Sequence, residues 1–143
     1  MFSKTCEYAI RAMIFIAQQS REGERVGIKD IAKGIEAPEH FIAKILQELG
    51  RKNLVLSAKG PNGGFYHNQE SAQSSLADIV KTIDGDKIFN GCGLGLKQCS
   101  ESHPCPIHHE FKKVRGSIQR MLEKARIGAL TRELEQQLTF LKR

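Results

Sequence analysis

Apolar residues first recur at Ala9, Ala12, Met13, Ile16 and Ala17, the i, i+3, i+4, i+7, i+8 spacing of one helical face, so residues 4–19 are predicted to form an amphipathic helix. Ser20-Arg21-Glu22-Gly23-Glu24 is a polar break. Ile28, Ile31, Ala32 and Ile35 mark a short helix over 28–35, with Lys29, Asp30 and Lys33 outward. Glu36-Ala37-Pro38 interrupts it, and Pro38 suits the first turn of a third helix because its missing N–H is not needed there. That helix, 38–50, should bury Phe41, Ile42, Ile45, Leu46 and Leu49, with Gly50 near its end as the left-handed residue. Leu54-Val55-Leu56-Ser57 reads as a strand, Lys59-Gly60-Pro61-Asn62-Gly63-Gly64 as a turn, and Phe65-Tyr66-His67 as the start of a returning strand.

Beyond the hairpin, residues 76–83 form another helical pattern, capped by Ser74 or Ser75 and closed by Asp84-Gly85. Residues 90–107 carry Gly91, Gly93, Gly95, Pro104 and Pro106 and read as a loop. A long helix over 108–127 puts Phe111, Val114, Ile118, Met121, Leu122 and Ala125 on one stripe. A last helix over 130–141 carries Leu130, Leu134, Leu138 and Leu141. The expected fold is mainly α with a small β-hairpin: residues 1–67 as one domain, 68–89 as a connecting helix, 90–107 as a loop, and 108–143 as the long helix and a C-terminal helix.

Of 143 residues, 40% are hydrophobic and 27% charged, the balance of a globular chain. The longest apolar stretch, Ala12 to Ala17, is far below the ~20 residues of a membrane span. Met1 to Glu7 does not resemble a secretory signal, so a cytoplasmic protein is expected. The net charge of +6 divides into +3 over 1–67, −3 over 68–110 and +6 over 111–143. A basic chain favours a polyanionic partner, since neutralised phosphates release counterions.

A short helix, a tight turn, a second helix and a hairpin follow the order of a winged helix-turn-helix, whose second helix enters the major groove of duplex DNA. The outward face of 38–50 offers Glu39, His40, Ala43, Lys44, Gln47 and Arg51, with Phe41 at its edge; the acids Glu39 and Glu48 count against a phosphate partner, and Lys29 lies outward on the helix before. Lys and Gln reach base acceptors and donors, while Ala43 or Phe41 suits a thymine methyl. In the wing, Lys59 suits a phosphate or a narrow minor groove, Asn62 lies in the turn, and Gly60, Gly63 and Gly64 permit close approach to a sugar–phosphate backbone. The competing reading is a three-helix core with a solvated charged face. The glycine-rich wing after this helix pair favours DNA, with RNA as the lesser alternative.

Three of the four cysteines cluster at Cys92, Cys99 and Cys105, followed by His108. In a reducing compartment such cysteines read as metal ligands or redox thiols. Structural zinc usually uses Cys-x2–4-Cys knuckles, whereas six and five residues separate these cysteines. Thiolates are the usual ligands of iron–sulfur clusters, and the glycines allow a wrap around something larger than one ion. Loop cysteines without a cofactor, or a redox dithiol, are the plainer readings. His103 and His109 are weaker ligand candidates. His67 reads as a polar surface residue, and Cys6 as a packed thiol. No third group orients a Cys–His pair for hydrolysis, so no enzyme is expected.

Glu7-Tyr8-Ala9-Ile10-Arg11-Ala12-Met13, Ile28-Lys29-Asp30-Ile31-Ala32 and Phe41-Ile42-Ala43-Lys44-Ile45-Leu46-Gln47-Glu48-Leu49 together resemble the Rrf-two family of bacterial winged-helix regulators. The wing Lys59-Gly60-Pro61-Asn62-Gly63-Gly64-Phe65, the segment Ser75-Leu76-Ala77-Asp78-Ile79-Val80 and the cysteines with Pro106-Ile107-His108 extend the resemblance over essentially the whole chain. It implies a homodimeric transcription factor, such as the IscR-like cluster-biogenesis regulators or the NsrR-like repressors. Residues 108–127 would form the dimer interface, and the cysteine loop would hold a 2Fe–2S or 4Fe–4S cluster. In the first subgroup the fourth ligand is a histidine, at the position of His108. In the second it is an acidic residue from the other subunit, at the position of Glu7. The alternatives are a cluster-free regulator using thiols or zinc, a cluster carrier built on the same scaffold, and a module whose basic C-terminal third binds an acidic protein.

Overall fold

The computed structural model describes residues 1–20 and 23–142, so Arg21 and Glu22 of the expected polar break, and Arg143, lie outside the described residues. Helix α1, Lys4–Gln19, starts where the Ser3 hydroxyl accepts the Cys6 N–H, and buries Cys6, Ala9, Ala12, Met13, Ile14 and Ile16. Helix α2, Ile28–Ile35, stops at Glu36, which adopts the left-handed conformation with φ 56° and donates its N–H to Ala32 and Lys33. Helix α3, Glu39–Arg51, follows with Pro38 as its extended N-cap rather than inside its first turn. The three helices share one core, in which Met13, Ile16, Ile31, Ile42, Ile45, Leu46 and Leu49 are sealed from solvent.

Two expectations for α3 need correction. Phe41 is not buried but 42% exposed, stacked on His40 with ring centroids 4.4 Å apart and facing Tyr8 at 6.2 Å. Gly50 is helical; the left-handed residue is Asn53, φ 57°. The tight turn there lets Leu54 donate its N–H to Leu49 and sends Val55 into the core, which delays the first strand.

Strand β1 is Leu56–Ala58 and pairs antiparallel with β2, Gly64–Tyr66, in the register Leu56↔Tyr66, Ser57↔Phe65 and Ala58↔Gly64. Val26, just before α2, exchanges backbone hydrogen bonds with Phe65 at 3.0 and 2.8 Å, fixing the wing to the helical body. Glycine is needed inside this wing. A Cβ on Gly63 would come within 2.3 Å of the Ala58 carbonyl oxygen, and Gly64 has φ 146° with its Cα against the Val26 backbone.

The connecting region is three helices rather than one: α4 Gln69–Ala72, α5 Leu76–Asp84 and α6 Lys87–Asn90. Capping boxes open α4 at Asn68/Ser71 and α5 at Ser75/Asp78. Helix α7, His108–Lys124, ends three residues before the expected boundary, and α8 runs Ile127–Glu135. The break is tertiary in origin. Leu76 N–H donates to the Ala125 carbonyl and Ile127 N–H to that of Ser74, so residues 125–127 pair with the start of α5. Leu138 and Leu141, expected in the last helix, lie beyond it and are exposed, because Gln137 turns left-handed at φ 57°.

A second, smaller apolar cluster joins Cys6 of α1, Ala77 and Val80 of α5, Phe89 of α6 and Leu122 of α7. Burial, and Asp84 beside it, push the Cys6 thiol up to about 12. His67 is no surface residue. Its Nε2 donates to the Met13 carbonyl at 3.2 Å, so Nδ1 accepts from the Ser71 hydroxyl at 3.1 Å, and burial lowers its pKa to about 4. No helix among the described residues is long and apolar enough to cross a membrane.

Candidate DNA-binding surface and cysteine site

Burying Ile42, Ile45, Leu46 and Leu49 turns the opposite side of α3 outward by helical geometry alone. That side carries His40, Phe41, Ala43, Lys44, Gln47 and Arg51, all exposed. An open cleft of about 820 Å³ separates it from the wing and brings Lys29, His40 and Ala43 together with Gly27, Gly64 and Phe65. Lys59 and Asn62 are exposed at the wing tip, with Gly63 half-buried beneath them. Arg25, which no periodicity singles out next to the polar break, stands beside the wing with its guanidinium 5.3 Å from the Tyr66 ring centroid. The pairing of the next residue, Val26, with Phe65 is what brings it there. Tyr8, likewise unassigned, joins Phe41 to α1 and has Lys4 and Arg11 each 5.2 Å from its ring.

The cysteine loop runs from Gly91 to Ile107 between α6 and α7 and lies against the first two turns of α7. Cys92 and Cys105 face each other with sulfurs 3.9 Å apart. Cys99 Sγ stands 3.3 Å from His108 Nδ1. His108 opens α7, is only 3% exposed and donates its N–H to the Cys105 carbonyl at 3.0 Å. Glu101 Oε2 is 3.4 Å from its Nε2, a buried nitrogen without a hydrogen-bond partner. Lys112 pairs with the same carboxylate and, with His108, holds it below the usual carboxylate range. The N–H groups of Leu94 and Leu96 face Cys92 and draw its thiol below the ordinary range.

The four residues are therefore brought together as two pairs. Among the described residues no three His, Cys, Asp or Glu side chains converge on a single ion. Two donors on one tetrahedral ion, with bonds of ~2.0–2.3 Å, stand about 3.5–3.8 Å apart. Cys92–Cys105 and Cys99–His108 each come close to that separation. The donor set thus suits two metal centres held by a pair each better than one ion held by four. Glu7 is on the first turn of α1 and pairs with Lys4 at 3.5 Å, not with a cysteine of its own chain. His103 is exposed and bound to Ser102, and His109 is exposed with its ring edge-on to His108.

Comparison with known proteins identifies the family and the fold. A protein of Aquifex aeolicus described as an HTH-type transcriptional regulator is 32% identical over 83% of each chain. The HTH-type transcriptional regulator NsrR of Oceanobacillus iheyensis is 24% identical over 96% of this chain and 94% of its own. The solved structure of T. potens IscR superposes with a TM-score of 0.76 at 20% identity, covering 99% of this chain and 93% of that one, which establishes the fold. These relatives are regulators and not enzymes. The family model described as "Rrf2: Iron-dependent Transcriptional regulator" matches residues 2–133, and the chain belongs to this family of transcriptional regulators.

Proposed function

We propose that this regulator binds a pseudo-palindromic DNA operator as a homodimer, and that an iron–sulfur cluster in the cysteine loop controls its affinity. The observation that carries the cluster reading is the pairing of four soft and borderline donors, Cys92 with Cys105 and Cys99 with His108, at separations suited to two iron centres. Cys92, Cys99, Cys105 and His108 would hold a 2Fe–2S group, with Glu7 of a second copy as the competing fourth ligand. When bound, such a group supplies a centre that responds to redox state, iron supply and nitric oxide. The protein's own part is to fix the loop: ligation ties 92, 99 and 105 together and seats the loop on α7. Without ligation the loop has little apolar surface to order it. A change of affinity follows only if the two loop states differ in their fit to DNA.

Dimerisation is supported by the outward stripe of α7, where Val114 is 55% and Met121 50% exposed, beside half-buried Phe111 and Ile118. Two-fold pairing of that helix covers the stripe and sets two α3 helices for successive major grooves. Lys44→Ala or Gln47→Ala should cost about 1–3 kcal/mol and change sequence preference. Lys59→Ala should weaken all sequences alike and reduce the salt slope by about 1.

The deciding experiment is anaerobic purification with visible spectroscopy, iron and sulfide analysis, and footprinting on the operator, for wild type and for Cys92→Ser, Cys99→Ser and Cys105→Ser. Each variant should lose the cluster, and His108→Ala against Glu7→Ala should identify the fourth ligand. Wild-type affinity in all three serine variants, loaded or not, would remove the cysteines from control. The 3.9 Å gap between Cys92 and Cys105 also favours a second reading, a redox dithiol. There, two thiols would give two protons and two electrons to hydrogen peroxide, forming one disulfide and two water molecules. A colourless protein whose footprint responds to peroxide and dithiothreitol would select it.

A further inference from the structure

Arg115 projects from α7 two turns after His108, on the face that meets the loop. Its Nη1 donates to the Gly91 carbonyl at 2.7 Å and lies 3.2 Å from Cys99 Sγ. The guanidinium carbon sits 5.9 Å from the Phe111 ring centroid. That ring is the surface on which Gly93 rests, since a Cβ there would come within 2.9 Å of it. Arg115 has no carboxylate partner within ion-pair distance among the described residues; its polar contacts are with the loop. Cys99 is thus held from α7 by two side chains, His108 and Arg115, and Arg115 also reaches the residue where the loop begins.

We infer that Arg115 is a positioning residue that clamps the start and the middle of the cysteine loop onto α7 and, in the loaded protein, donates a charged hydrogen bond to the Cys99 sulfur that raises the reduction potential of the group bound there. The second half of this inference rests on the cluster reading; the first does not. Both contacts come from one nitrogen, Nη1, whose two N–H groups lie fixed in the guanidinium plane, whereas a lysine side chain keeps the charge but ends one bond short of that position. A hydrogen bond and a positive charge at a ligating sulfur both favour the state that holds the extra electron.

The test compares wild type with Arg115→Lys and Arg115→Gln. In metal-free protein, hydrogen exchange is read at the Gly91, Leu94 and Gly95 amides, which donate to Lys87 O, Cys92 Sγ and Cys92 O. In reconstituted protein, the midpoint potential is read by dye-mediated titration with dithionite, followed by visible absorbance. Arg115→Gln should exchange about fivefold faster at these amides, the effect of one lost hydrogen bond on local opening, while α8 is unchanged. It should also titrate at a lower potential. Arg115→Lys should recover part of the potential through its charge but not the slow exchange. Wild-type exchange in Arg115→Gln overturns the clamp, and an unchanged potential overturns the electronic role. If wild type takes up no cluster, the cluster reading and the electronic role fail together, while exchange in the metal-free protein still decides the clamp.

Discussion

Acid should loosen this protein through His67, a residue far from any cysteine in sequence. Its imidazole links β2 to α1 and α4, donating from Nε2 to Met13 and accepting at Nδ1 from Ser71, while its own N–H donates to the Ser20 hydroxyl at 3.2 Å. Both ring nitrogens are occupied in the neutral form. Burial lowers the folded pKa from 6.5 to about 4, so below pH 6.5 the unfolded chain takes a proton that the folded chain refuses. Stability is therefore lost as the pH falls from 6.5 towards 4, at up to ~1.4 kcal/mol per pH unit and to a total of about 3 kcal/mol. Protonation would also leave Nδ1–H facing the Ser71 hydroxyl, which must then stop donating to it. The assay is urea unfolding of reduced, chelator-treated protein at pH 7 and pH 4.5 and one fixed concentration, for wild type and His67→Gln. Carboxylate titration is common to both proteins, so the difference between them isolates the imidazole. Wild type should lose about 2–3 kcal/mol more than the variant over this interval. Parallel losses would refute the assignment of a buried neutral imidazole.

Leu49→Ala empties a fully buried site where α3 meets the core and should cost about 2–5 kcal/mol in denaturant unfolding. Gly63→Ala forces a methyl group against the Ala58 carbonyl, and should speed hydrogen exchange across residues 56–66 while leaving α1 protected. Met121→Asp places a charge on the exposed stripe of α7. It should shift sedimentation from dimer to monomer and weaken operator binding without changing the monomer's helical signal.

Much of the reading head was legible because its helices obey local rules. The end of α2 follows from the Glu36-Ala37-Pro38 interruption and the bounds of α5 from Ser75 and Gly85, and the apolar spacing of α2 names its buried Ile31, Ala32 and Ile35. The errors arise where tertiary structure overrides periodicity. Phe41 lies at the margin of an apolar stripe, and only the packing of α1 decides that it faces Tyr8 and solvent rather than the core. The gap between α7 and α8 depends on backbone pairing with Ser74 and Leu76, about fifty residues away, which no helical pattern in 108–141 contains. The side chains of the cysteine site could be named from the sequence, but their arrangement as two pairs could not. The contacts of His67 and Arg115 cannot be read from the sequence, because they lie wholly with partners brought by folding.

The two halves of the molecule meet at α1. Ala9, Met13 and Ile16 belong to the core under α3, while Cys6, one turn earlier, belongs to the cluster formed with Val80, Phe89 and Leu122. The Ser3 N–H and hydroxyl both bond Asp84, so the start of α1 is fixed to the end of α5. One glycine later the chain enters α6, and Phe89 is buried just two residues before Gly91, where the loop begins and Arg115 takes hold. In the proposed switch a displacement at Gly91 would bear first on Phe89 and the face of Cys6, then along α1 to the core beneath Lys44 and Gln47. Packed cores resist continuous deformation, so a signal on this route must take the form of two discrete packings rather than a graded strain. The small second cluster is suited to such a change, because among the described residues it holds five buried side chains, against the larger core that keeps the recognition helix in place. Rearranging it costs less than disturbing α3, so in the proposed switch the loop state would alter how the reading heads are set without unfolding the surface that reads.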